Sequence, residues 1–111
     1  MDITLNEHGG GVATLRLVGK LNVVAATTLR DYIGAAVAED QIWLTIDLTQ
    51  VDFLDSSGLG ALINGLKTAR LAGGDLRIFG PNEQVRLVLK LTNLNTLLIT
   101  VDSAEEAFTH G

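Results

Sequence analysis

Cysteine is absent from the 111 residues. Its absence removes thiol catalysis, disulfide frameworks and the usual zinc-finger ligand sets. Basic residues are scarce: eight Lys and Arg stand against 13 Asp and Glu, for a net charge of −5 and a pI near 4.7. A general nucleic-acid binder needs a basic face to displace counterions from phosphates, so nucleic acid is not the expected partner. Long apolar runs are also missing. Unbroken apolar stretches reach only four or five residues, against the ~20 that a membrane-spanning helix requires, so no direct membrane insertion is expected. Met1-Asp2-Ile3-Thr4-Leu5 carries neither the basic region nor the apolar core of a secretory signal, and a cytoplasmic location is the expectation. The chain has one proline, Pro81, and no linker, low-complexity tract or repeat. That predicts one domain spanning residues 1–111. What is abundant is apolar: 47% hydrophobic against 19% charged residues, a globular composition. A chain of this length buries roughly two-thirds of its unfolded surface and can fold without staples.

The hydrophobic period then assigns elements. Residues 3–7 and 12–18 flank His8-Gly9-Gly10-Gly11, with Ala13, Leu15 and Leu17 alternating with Thr14 and Arg16, the signal of a hairpin. After Gly19-Lys20-Leu21, Asn22 can cap a helix on which Ala26, Leu29, Ile33, Ala36 and Val37 recur at helical spacing. Residues 42–48 alternate as a strand. Leu59, Leu62, Ile63 and Leu66 mark a second helix ending at Gly73-Gly74. Residues 76–79 form a short strand, and Asn82 caps a third helix with Val85, Val88 and Leu89 on its core face. Residues 97–101 read as a last strand, and Ser103 with Glu106 as a capping box for a terminal helix. The order predicts an α/β fold: a mostly parallel mixed sheet, begun by an antiparallel hairpin, with about four helices.

One segment concentrates polar and small residues where such folds place function: Val51-Asp52-Phe53-Leu54-Asp55-Ser56-Ser57-Gly58-Leu59-Gly60, between a strand and a helix. The first turn of that helix offers free amides and a dipole that favours negative charge. Asp55 or Ser56 can act simply as the cap, with Gly58 and Gly60 permitting close helix–sheet packing. A nucleotide loop is poorly matched, because Ile63 fills the third glycine position of a dinucleotide fingerprint and Leu66 stands where a phosphate loop needs lysine. A serine hydrolase needs glycine two residues before its nucleophile and a histidine base. Leu54 and Asp55 occupy those positions, while His8 lies in a turn and His110 near the C-terminus. A metal site on Asp47, Asp52 and Asp55 would have to span an apolar-rich bend, and an acidic trio alone does not specify ligation. The remaining reading is a serine modified by another protein.

Asp55-Ser56-Ser57-Gly58-Leu59-Gly60, preceded by Val51-Asp52-Phe53-Leu54, resembles the signature of the STAS-domain anti-sigma factor antagonists of bacteria. The resemblance runs the length of the chain. Gly19-Lys20-Leu21-Asn22 stands where the family usually has Gly-Glu-Leu-Asp, Gly73-Gly74-Asp75-Leu76 resembles its turn into the next strand, residues 82–94 its third helix and residues 103–107 its last. The resemblance implies a non-enzymatic protein without cofactor or metal. Unmodified, it binds an anti-sigma factor with serine kinase activity and frees a sigma factor. Phosphorylation of Ser56 switches it off, and a serine phosphatase restores it. Lys20 and Asn22 depart from the family pattern, which leaves open a STAS subunit of another complex, such as a lipid or anion transporter. By the same resemblance and the helical spacing, the partner surface comprises Asn22 at the rim, Asp55, Ser56, Ser57, Gly58, Leu59, Gly60, Ala61 and Asn64. Leu62, Ile63 and Leu66 are expected to face the core.

Overall fold

The computed structural model describes residues 1–104, 107 and 108. Its sheet has five strands in the spatial order of the chain: β1 (Asp2–Gly9), β2 (Val12–Leu21), β3 (Trp43–Leu54), β4 (Asp75–Phe79) and β5 (Thr100–Val101). β1 and β2 are antiparallel, and every later neighbour is parallel. Helix α1 (Val23–Ala38) joins β2 to β3, α2 (Ser56–Leu71) joins β3 to β4, and α3 (Glu83–Leu91) leads through a 3-10 turn at Leu94–Thr96 to β5. This is the expected α/β arrangement, with its parallel sheet and N-terminal hairpin. The hairpin closes through Gly9, Gly10 and Gly11, all at positive φ (86°, 64° and 79°). Three such residues in succession would strain any side chain with a Cβ.

Period-2 alternation places the core. Register sets Ala13, Leu44 and Leu76 in one row across the sheet and Leu15, Ile46 and Ile78 in the next. All six are buried, together with Ala26, Leu29, Ile33 and Ala36 of α1 and Leu59, Leu62, Leu66 and Ala69 of α2. Full burial of each large side chain contributes about 1.5–3 kcal/mol.

The structure corrects three expectations. Among the described residues there are three α-helices, not four. Glu106 of the expected capping box lies outside the described residues, and Ser103, Ala104, Ala107 and Phe108 are not helical. Contacts with the sheet claim this segment instead. Arg77 Nη1 donates to the Ala107 carbonyl at 2.6 Å, and the Phe108 ring lies 5.6 Å from that of Trp43 and 4.6 Å from the Arg77 guanidinium. The last strand is two residues rather than five, because Asn93 at φ 63° starts the 3-10 turn, and the Leu97 and Leu98 amides donate back to the Leu94 carbonyl. Finally, β3 does not bend after residue 48. It continues to Leu54, paired with the far end of β2 across two register shifts.

On its other side β3 loses β4 after the Asp47–Phe79 pair. The start of α3 takes over as a substitute strand. Gln84 accepts from the Leu54 N–H through Oε1 (3.0 Å) and donates to the Leu54 carbonyl through Nε2 (2.9 Å). Asn82 donates to the Val51 carbonyl at 3.3 Å while its Oδ1 caps α3 on the Val85 N–H. Gln84→Ala would orphan both backbone groups of Leu54, an expected cost of about 1–3 kcal/mol. A thermal melt should show the loss, and amide exchange at Leu54 should accelerate selectively.

Candidate functional site

Parallel pairing places Leu21 opposite Leu54 at the C-terminal ends of β2 and β3. The residue after each is a helix cap in extended conformation. Asn22 Oδ1 accepts from the Ala25 N–H at 3.2 Å, and Asp55 Oδ1 accepts from the Gly58 N–H at 2.9 Å. The Asp55 N–H itself reaches the Leu21 carbonyl at 3.4 Å, which ties the two connections together. Two helices therefore begin from adjacent strands, with the positive ends of both dipoles toward one surface.

Ser56 is the first residue of α2. It is exposed, and its hydroxyl has no hydrogen-bond partner among the described residues. Ser57 beside it is half-buried. Gly58 is buried, and its surroundings require glycine: a Cβ there would overlap the Leu21 carbonyl oxygen and stand 2.7 Å from Leu21 Cγ and 2.8 Å from Leu54 Cδ1. Leu59 is also buried. Ala61, expected on the outward side, is 0% exposed. Gly58, Ala61, Leu62, Gly65, Leu66 and Ala69 form the inward stripe of α2, and the three- and four-residue steps from Gly58 and to Gly65 turn Ala61 with them. Ile63, expected in the core, is only half-buried. The outward row is Ser56, Gly60, Asn64 and Lys67, spaced at four, four and three residues.

That row forms one side of a groove of about 420 Å³, with Arg30 of α1 and Leu94 of the 3-10 turn also lining it. Arg30 and Leu94 are not legible as site residues, because their approach depends on how α1 and the 3-10 turn pack, whereas Lys67 continues the helical spacing of Ser56, Gly60 and Asn64. Also unanticipated are Val23 and Val24, 62% and 74% exposed in the first turn of α1. A signal for them exists in the sequence: two apolar residues directly after a cap and off the Ala26–Leu29–Ile33 stripe.

The acidic residues near the site have separate tasks. Asp55 caps α2. Asp52 lies 3.9 Å from Lys20 Nζ, which also stands 5.7 Å from the centre of the Phe53 ring. Asp47 accepts from the Thr49 amide (2.9 Å) and hydroxyl (2.6 Å). The structure thus does not gather Asp47, Asp52 and Asp55 as metal ligands. His8 bonds Thr14 Oγ1 at 2.8 Å at the opposite end of β2 from Asn22, so it is no base for Ser56. His110 lies outside the described residues. No helix among the described residues is long and apolar enough to cross a membrane.

Comparison with known proteins places this geometry. A family model described as STAS domain matches residues 4–107. The anti-sigma F factor antagonist of Paenibacillus polymyxa is 28% identical over 104 residues, covering 93% of this chain and 89% of that protein. The anti-sigma-B factor antagonist of Listeria monocytogenes is 24% identical over 98 residues, covering 88% and 86%. A crystal structure of an anti-sigma factor antagonist from Mycobacterium paratuberculosis superposes with a TM-score of 0.83 at 28% identity, covering 97% of this chain and 91% of that one.

Proposed function

Since the chain belongs to the STAS-domain family, we propose that it is an anti-sigma factor antagonist whose unmodified form binds an anti-sigma factor with serine kinase activity. Binding displaces a sigma factor, phosphorylation of Ser56 ends it, and a serine phosphatase reverses the modification. The names of the relatives support the first part of this reading. The observation that carries the second is Ser56 itself: an exposed hydroxyl without a partner among the described residues, at the start of a helix whose fold does not use it.

The chemistry divides cleanly between the two proteins. The chain supplies an acceptor hydroxyl and a docking face; ATP and the catalytic groups belong to the kinase. A phosphoryl group adds roughly −1.5 to −2 charges. At the first turn of α2 that charge meets free amides and a favourable dipole, so the fold survives. In a docked interface the same charge meets groups arranged for a neutral hydroxyl. A loss of about 3 kcal/mol there exceeds a hundredfold in affinity, so the switch needs no rearrangement of the domain. The docking face on this reading is the outward row of α2 at Ser56, Gly60 and Asn64, with Asn22, Val23 and Val24 at its rim.

Incubation with cell extract and ATP, followed by mass spectrometry, tests the acceptor. Phosphate should appear on Ser56, and Ser56→Ala should abolish labelling. Label on Ser57, with Ser56→Ala modified normally, would refute the assignment.

A further inference from the structure

The groove beside Ser56 has a charge pattern at odds with the rest of the chain. The protein carries a net charge of −5, yet among the described residues the charged ones lining this groove are two cations, Arg30 and Lys67, with no carboxylate. Arg30 reaches across from α1 to α2, where its Nη2 would stand 3.4 Å from a Cβ placed on Gly60. Among the described residues its guanidinium makes neither an ion pair nor a hydrogen bond. Arg30 is exposed, and the acids nearest Ser56 in sequence have contacts of their own: Asp55 accepts from the Gly58 N–H and Asp52 lies 3.9 Å from Lys20 Nζ. Gly60 lies one helical turn from Ser56 on the same face of α2, a separation of about 6 Å along the axis. Arg30 and Ser56 line the same groove.

We propose that Arg30 is the internal counter-ion for a phosphoryl group on Ser56, a contact that rests on Ser56 being the acceptor. In the unmodified protein the guanidinium lies over Gly60. After modification it moves one turn toward the N-terminus of α2 and donates two parallel N–H bonds to phosphate oxygens, the geometry that suits its planar fork. The phosphorylated surface then differs in shape as well as charge. Gly60 is uncovered, and a paired phosphate and guanidinium stand over the first turn. Glycine at position 60 leaves the resting guanidinium its place, because a side chain longer than alanine there would press against it.

The test installs phosphoserine at position 56 during translation, without any kinase, and follows its second ionisation by 31P NMR. In the wild-type background the phosphate should ionise at lower pH than in the urea-unfolded chain, since a nearby cation favours the dianion. Arg30→Met should weaken that ionisation constant about threefold, and Arg30→Lys, which keeps the charge without the fork, should recover part of it. The helix amides act equally in all three chains, so the difference isolates Arg30. Coincident titrations of wild type and Arg30→Met would overturn the proposal. So would a shift of equal size from Lys67→Met, which would signal a diffuse field rather than a contact. Failure here leaves kinase labelling of Ser56 untouched, whereas failure of labelling leaves this titration readable, so the two readings fall separately.

Discussion

Gly58→Ala should destabilise the protein by about 3 kcal/mol, near the upper end of what overpacking costs. The added methyl meets a backbone oxygen, that of Leu21, the branch carbon of buried Leu21 at 2.7 Å and a terminal methyl of buried Leu54 at 2.8 Å. The first two cannot swing aside as the end of a flexible chain would, and the Leu54 methyl is held in the packed core. Relief requires α2 to lift off the Leu21–Leu54 pair, which disturbs both helix starts together. With each kcal/mol worth roughly 4–8 °C in a domain of this size, the melting temperature followed by circular dichroism should fall by more than 10 °C. Gly60→Ala provides the contrast, because its methyl meets only the mobile end of Arg30 at 3.4 Å, and it should melt within a few degrees of wild type. Equal melting of the two variants would mean that α2 stands farther from β2 than the structure places it.

The second large effect concerns docking. Asn64 is exposed on the outward row, and its side chain makes no hydrogen bond among the described residues; only its backbone carbonyl accepts from the Thr68 hydroxyl, at 2.9 Å. Asn64→Arg therefore removes nothing that holds the fold. It sets a further long, charged side chain two turns from Ser56, where Ser56, Gly60 and Asn64 leave room between Arg30 and Lys67. Small groups let a partner's backbone approach without ordering long side chains, and the arginine cancels that advantage. Binding to the cognate anti-sigma factor, measured by calorimetric titration, should weaken more than a hundredfold while the melting temperature stays within a few degrees of wild type. Wild-type affinity in this variant would move the interface away from α2.

Much of this is legible in the sequence. Strict alternation in residues 12–18 and 42–48 located the two central strands, and Asn22 and Asn82 marked their helices, because a cap's role is decided by its own next three amides. Ser56 stood out for the same local reason: it follows a strand and opens a helix. The misreadings share a different cause. Ala61 is small and, like Gly60, compatible with either face, so only the packing of α2 against the sheet decides that it turns inward. Leu97, Leu98 and Ile99 form a short apolar run that reads as a strand, but the left-handed Asn93 and the turn after it use up the backbone first. The C-terminal segment has helix-starting residues, yet Arg77 and Trp43, far away in sequence, determine where Ala107 and Phe108 lie. Arg30 carried no local mark at all. Its relevance comes from α1 lying beside α2.

The two caps at the site hang from paired strands with no loop to spare. A single residue separates Leu21 from the start of α1 at Val23, and a single residue separates Leu54 from the start of α2 at Ser56. Neighbouring strands stand about 4.8 Å apart, so the pair acts as a ruler whose spacing belongs to the sheet. Connections between elements ordinarily absorb insertions. Here one extra residue would turn the following helix by about 100°, carrying Ser56, Gly60 and Asn64 away from the groove and the buried leucines toward solvent. In this chain an insertion should therefore be tolerated best at the opposite end of the sheet, at places such as the triple-glycine turn, where an added residue changes no helix's rotation.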